Sequence, residues 1–124
     1  MKILTRSLAV GAVTALTALS TATVAQAGTD AVSGNDSGAK VTFISYGDKF
    51  RVCDTEWDFF QVYNEYKYIR VDGSVQHDKE YVNTGDGTCA TYDHNFGEGR
   101  SVTFRACVET PIYDSCHPWV VGIA

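Results

Sequence analysis

The sequence has no apolar run long enough to cross a bilayer: residues 8–19 span about a dozen positions, where roughly 20 are needed. It has no sustained helical stripe, and its two prolines, Pro111 and Pro118, both fall late in the chain. Basic residues are scarce after residue 27. Of the ten Lys and Arg, Lys2 and Arg6 precede that point, leaving eight against all fifteen Asp and Glu, a net charge of −7. So acidic a small domain is repelled by phosphate backbones and anionic lipid, which argues against nucleic acid and membrane surfaces as partners. A G-x-S-x-G elbow, an H-E-x-x-H pair, a Gly-rich phosphate loop and a dinucleotide fingerprint are all missing. No catalytic residue, metal ligand or cofactor is therefore expected.

What is present first is an address. Lys2 and Arg6 make a positive start, the apolar run follows, and Ala25-Gln26-Ala27 is an A-x-A cleavage site. In that order these parts read as a secretory signal peptide over residues 1–27, removed on export. The residue directly after the cleavage site is Gly28 rather than a cysteine, so a lipid anchor is not expected there. Cleavage leaves 97 residues, one domain whose core is marginal without covalent help. All four cysteines (Cys53, Cys89, Cys107, Cys116) lie in that part, and an even count in a small exported domain implies disulfides. Three pairings are possible. The short segment with Pro111 between the last two favours Cys107–Cys116, and with it Cys53–Cys89. A zinc site would need paired C-x(2–4)-C spacing, which is absent.

In residues 28–39, GTDAVSGNDSGA, Val32 is the only larger apolar side chain. A segment so poor in apolar surface is expected to be a flexible N-terminal arm ahead of a disulfide-stabilised β domain over residues 40–124. At Lys40 a period of two begins: Val41, Phe43 and Ser45 alternate with Thr42, Ile44 and Tyr46, until Gly47-Asp48 turns the chain. Phe50 and Val52 lie in a second strand and residues 59–71 in a long third, which Asp72-Gly73 folds back as a hairpin over 74–81. Further strands are expected over 89–92, 100–108 and 119–123. Short strands at roughly ten-residue spacing argue an all-β fold, a small antiparallel β-sandwich or barrel. Its predicted core is Val41, Phe43, Phe50, Val52, Phe60, Val62, Val102, Phe104 and Ala106.

Three groups could carry function. Asp54, Glu56 and Asp58 would share one face if extended, as paired carboxylates in a glycoside hydrolase or calcium ligands do. A domain of this size has little room for the flanking cleft, however, and no EF-hand loop is present, so a solvated turn is the reading. His77, His94 and His117 each adjoin turn-forming residues and are expected on the surface. His77-Asp78 and Asp93-His94 are neighbours that an extended strand points to opposite faces, so neither is an acid–base pair. Aromatics are the surplus: all fifteen lie after residue 27, and seven of them are Tyr. Trp57, Phe59, Tyr63, Tyr66 and Tyr68 carry more aromatic bulk than one buried face absorbs. They are the candidate binding residues, suited to a secreted protein partner or to a glycan.

Residues 47–54 (GDKFRVCD), Asp86-Gly87-Thr88-Cys89 and the signal ending AQA resemble the small exported β proteins of filamentous actinobacteria. Within that group the layout is similar to the small adaptor subunit of umbrella toxin particles. The resemblance implies a non-catalytic adaptor whose N-terminal arm, here residues 28–39, docks into a cleft on a lectin-bearing subunit. Its globular part would contact the spoke-bearing toxin protein. A second class is the two-disulfide β-sandwich amylase inhibitors, whose aromatic–basic–aromatic tip Tyr66-Lys67-Tyr68 resembles, although here the triplet reads as mid-strand. A stand-alone secreted toxin or glycan-binding protein is the third.

The exported protein is expected to have the intact mass of residues 28–124 less four hydrogens. Mass spectrometry after alkylation under native conditions checks this, and four reactive thiols would refute the disulfide framework.

Overall fold

Alternating apolar and polar residues, punctuated by glycine and aspartate, make a series of antiparallel strands in a computed structural model that describes residues 28–56 and 59–124. The signal segment, Trp57 and Asp58 lie outside the described residues. The strands are β1 (Ala31–Gly34), β2 (Ala39–Ile44), β3 (Lys49–Asp54), β4 (Gln61–Ile69), β5 (Val75–Tyr81), β6 (Cys89–Asp93), β7 (Ser101–Glu109), β8 (Asp114–Cys116) and β9 (Val120–Ile123). They form two antiparallel sheets: β1-β2-β3-β6, and β5-β4-β7-β8 with β9 also paired to β7. The fold is the expected all-β sandwich.

The inward phases of β2, β3, β4 and β7 fill the space between the sheets. Val41, Phe43, Phe50, Val52, Val62, Val102, Phe104 and Ala106 are fully buried. Phe50 is the hub, its ring 5.1 Å from Phe104, 5.2 Å from Phe43, 5.3 Å from Tyr66 and 5.9 Å from Phe96. Gly122 permits this packing, because a Cβ there would overlap the Phe43 ring. Phe60 departs from the expected core: β4 begins only at Gln61, and Phe60 is 38% exposed.

The expected flexible arm is a correction. Residues 31–34 form β1, paired along its whole length with β2. Thr29 and Ile123 exchange two backbone hydrogen bonds of 2.8 and 3.0 Å, joining β1's sheet to β9. Ser33 is buried, and its Oγ accepts the Ala106 N–H at 2.9 Å. That donor sits where β7 changes partner from β9 to β8, so the ladder leaves it open. Backbone pairing and one hydroxyl hold the segment, and neither depends on the apolar bulk whose scarcity suggested disorder.

Both disulfides pair as expected, Cys53–Cys89 and Cys107–Cys116. Each joins residues directly opposite one another on neighbouring strands, β3–β6 and β7–β8. Strand β8 was not expected from the sequence; it has three residues and is tied down by its cystine.

Phe50→Ala is expected to lower unfolding stability by about 3–5 kcal/mol, since the ring is fully buried among four others. Tyr46→Ala, at a side chain 92% exposed, should change it by less than about 0.5 kcal/mol. Urea titrations of the two variants check the contrast, and equal midpoints would refute the hub.

Candidate functional site

The two sheets meet differently along their two sides. Backbone closes the β1/β9 side, whereas β5 and β6 form no ladder with each other among the described residues. Side chains cross that second seam instead. The Tyr92 hydroxyl donates to the Tyr81 carbonyl, and His94 Nε2 lies 3.0 Å from Glu80 Oε2. Glu80 is buried, as is Asn64, whose Nδ2 donates to Glu80 Oε1 at 3.4 Å. Asn64 Oδ1 has no hydrogen-bond partner among the described residues. His94 stacks on Phe96 with ring centroids 4.8 Å apart. Toward the open end of the seam, Gln76 Nε2 donates to the Tyr66 hydroxyl at 3.0 Å and to Asp78 at 2.8 Å. The histidine expected on the surface is thus a cross-seam partner.

The outer face of the five-stranded sheet is layered by register. Glu65 is the centre of one row, with Arg105 Nη2 2.7 Å from its Oε1 and His77 Nε2 3.2 Å from its Oε2. Burial raises the Glu65 carboxyl, but Arg105 and His77 outweigh it and hold the group below the usual carboxylate range. Lys67 and Arg105 both lie over the Trp119 ring, 4.3 and 4.4 Å from its centroid. Beside this row Tyr63 faces Tyr81 at 5.1 Å and donates its hydroxyl to Asp114 at 2.7 Å.

A third region gathers at one end of the sandwich. In an antiparallel arrangement alternate loops leave the same end, here residues 35–38, 55–56 with 59–60, 82–88 and 110–113. Phe59 stands there 97% exposed, on backbone with φ 63°. Ile112 and Tyr113 are 89% and 69% exposed. The register Gln61↔Glu109 places their loop beside that of Phe59 and Phe60. Phe59, Phe60, Val82, Asn83 and Asp86 line a shallow open depression of about 260 Å³.

The four sequence-predicted binding residues that are described, Phe59, Tyr63, Tyr66 and Tyr68, therefore separate. Phe59 is exposed as expected, and Tyr68 is half-buried with its ring 4.6 Å from Phe96. Tyr63 and Tyr66 are corrections, each only 2% exposed. Tyr66 points into the core against Phe50. Tyr63 points outward, but Tyr81 and Lys79 cover it. Asp54 is also buried rather than solvated, while Glu56 is exposed. Asn64, Glu80 and the Ile112-Tyr113 tip were missed. A signal existed for Glu80, because Gln76, Asp78 and Glu80 make the core-facing phase of β5 wholly polar, the mark of an edge strand over an incompletely closed seam. No family model matches this chain, and no curated protein or solved structure is significantly similar to it.

Burial, before any neighbouring charge, pushes the hydroxyls of Tyr63, Tyr66, Tyr81 and Tyr92 above the ordinary tyrosine range. The folded state keeps protons there that the unfolded chain releases. Stability from these groups is complete below the ordinary tyrosine value, about 10, and is lost as pH rises past it. Urea titrations at high pH should show this fall, with tyrosinate absorbance rising as the protein unfolds. A free energy constant over that range would refute it.

Proposed function

We propose that the protein is an exported, non-catalytic protein–protein interaction module whose contact surface is the loop end bearing Phe59. The observation that carries the reading is that exposed side chain. A phenylalanine left almost wholly in water, on left-handed backbone that costs on the order of 1–3 kcal/mol for a non-glycine residue, stabilises nothing in the isolated domain. Phe60, Ile112 and Tyr113 extend the apolar surface, and aromatic anchors of this kind dominate the energetics of protein interfaces. Export is supported by the signal features and by two disulfides, which fit an oxidising compartment.

Within this class the finer proposal is an adaptor subunit of an extracellular toxin complex, supported by the layout resemblance described above. The docking arm which that resemblance implied is here strand β1, so the proposed contact falls to the loops. A tagged copy is expected to co-purify from culture supernatant with a larger secreted protein in fixed stoichiometry, identified by mass spectrometry. Phe59→Ala with Tyr113→Ala should cut recovery about tenfold or more while leaving the urea midpoint unchanged. Undiminished recovery, or turnover of a polysaccharide or peptide by the purified protein, would overturn the proposal.

A further inference from the structure

The charges of the molecule are sorted along its strands. Lys and Arg are absent from residues 54–66, 80–99 and 106–124, the stretches that supply three of the four loops at the Phe59 end. Those loops and the strand ends feeding them carry Asp54, Glu56, Asp86, Glu109 and Asp114. The fourth loop has its one acid, Asp36, already paired with Lys40. The other ion pairs of the described residues engage Asp93, Glu65 and Glu80, so Glu56, Asp86, Glu109 and Asp114 have no cationic side chain against them.

Glu109 and Asp114 make the point locally. They are register partners on β7 and β8, which sets two carboxylates directly opposite each other at the mouth of the loop carrying Ile112 and Tyr113. Both are exposed, and like charges in that position repel. The Tyr63 hydroxyl donates to Asp114 and Tyr81 hydrogen-bonds Glu109, but no lysine or arginine offsets the charge, which lies beside the exposed Ile112 and Tyr113.

We propose that this loop end docks a cationic partner protein, one presenting Lys or Arg around an apolar depression that receives Phe59 and Tyr113. The inference rests on the interaction-module reading and adds the partner's chemistry. Apolar anchors supply the contact area. The unneutralised carboxylates around them select the sign of the partner and raise its rate of encounter. The same carboxylates repel anionic surfaces, including other copies of this acidic chain.

The test uses the whole mature protein, residues 28–124, and three synthetic peptides of equal length: alternating Leu–Arg, Leu–Glu and Gly–Arg. In two-dimensional amide NMR the Leu–Arg peptide should perturb Phe59, Phe60, Asp86 and Tyr113. The Leu–Glu peptide should not bind, and the Gly–Arg peptide should bind about tenfold more weakly. Glu109→Gln and Asp86→Asn should each weaken Leu–Arg binding several-fold. Glu98→Gln, the same charge change at the opposite end, should not. Glu109→Gln should also raise the urea midpoint of the free protein, because it removes the opposed pair. Perturbations centred on the sheet faces, equal binding of the Leu–Glu peptide, or equal effects of Glu98→Gln and Glu109→Gln would overturn the proposal. If a partner recovered from supernatant depends on Phe59 but not on Glu109 or Asp86, the cationic chemistry fails and the interaction module stands. If nothing depends on Phe59, the module itself fails.

Discussion

Two backbone hydrogen bonds between Thr29 and Ile123 determine how this sandwich is built. They join the first strand of one sheet to the last strand of the other, and the Ser33 hydroxyl on the Ala106 N–H adds a second tie on that side. With one side fixed, the aromatic hub sets the distance between the sheets, because Phe50 must meet Phe43 on its own sheet and Phe104 and Tyr66 on the other. The opposite side then lacks backbone partners and is bridged by Glu80–His94 and by Tyr92 to Tyr81. The buried polar groups at that seam follow from closure at the other.

The cystines belong to a different part of the stability. Both lie within a sheet, each fastening an edge strand to its inner neighbour, and neither spans the core. In the chain-entropy model loops with separations of 36 and 9 residues contribute about 4 and 3 kcal/mol, much of the net stability of a small domain. They act through the unfolded chain and by preventing short edge strands from fraying, while the hub supplies cohesion between sheets. Cohesion of the two halves is entirely noncovalent apart from the chain itself.

Much of this fold is legible in the sequence because its signals are local. Period-two alternation marked β2, β3 and β7, Asp72-Gly73 marked the β4–β5 hairpin, and the spacing of the last two cysteines marked their pairing. What escaped reading depends on partners distant in sequence. β1 is held by Ile123 and by the open Ala106 donor, neither of which leaves a trace in residues 28–39. Tyr63 has the phase of a surface residue and is covered by side chains from the next strand. Phase was equally misleading at Phe60, because the strand starts one residue later than its aromatic run. The candidate surface was half legible: Phe59 follows from aromatic surplus, whereas Ile112 and Tyr113 join it only through the register of β4 with β7.

The meeting of β1 with β9 also fixes how the domain is suspended. The backbone at Gly28 passes against Ala124, while Gly99 and Arg100 bind the same last residue from the β6–β7 loop, so residues 28 and 124 share the end remote from Phe59. A tether attached at either residue leaves on that side, and the aromatic loops project freely from the other. Tension between the two residues would fall first on the Thr29–Ile123 pair and peel β1 and β9 apart, leaving both cystines and the Phe50 cluster unloaded.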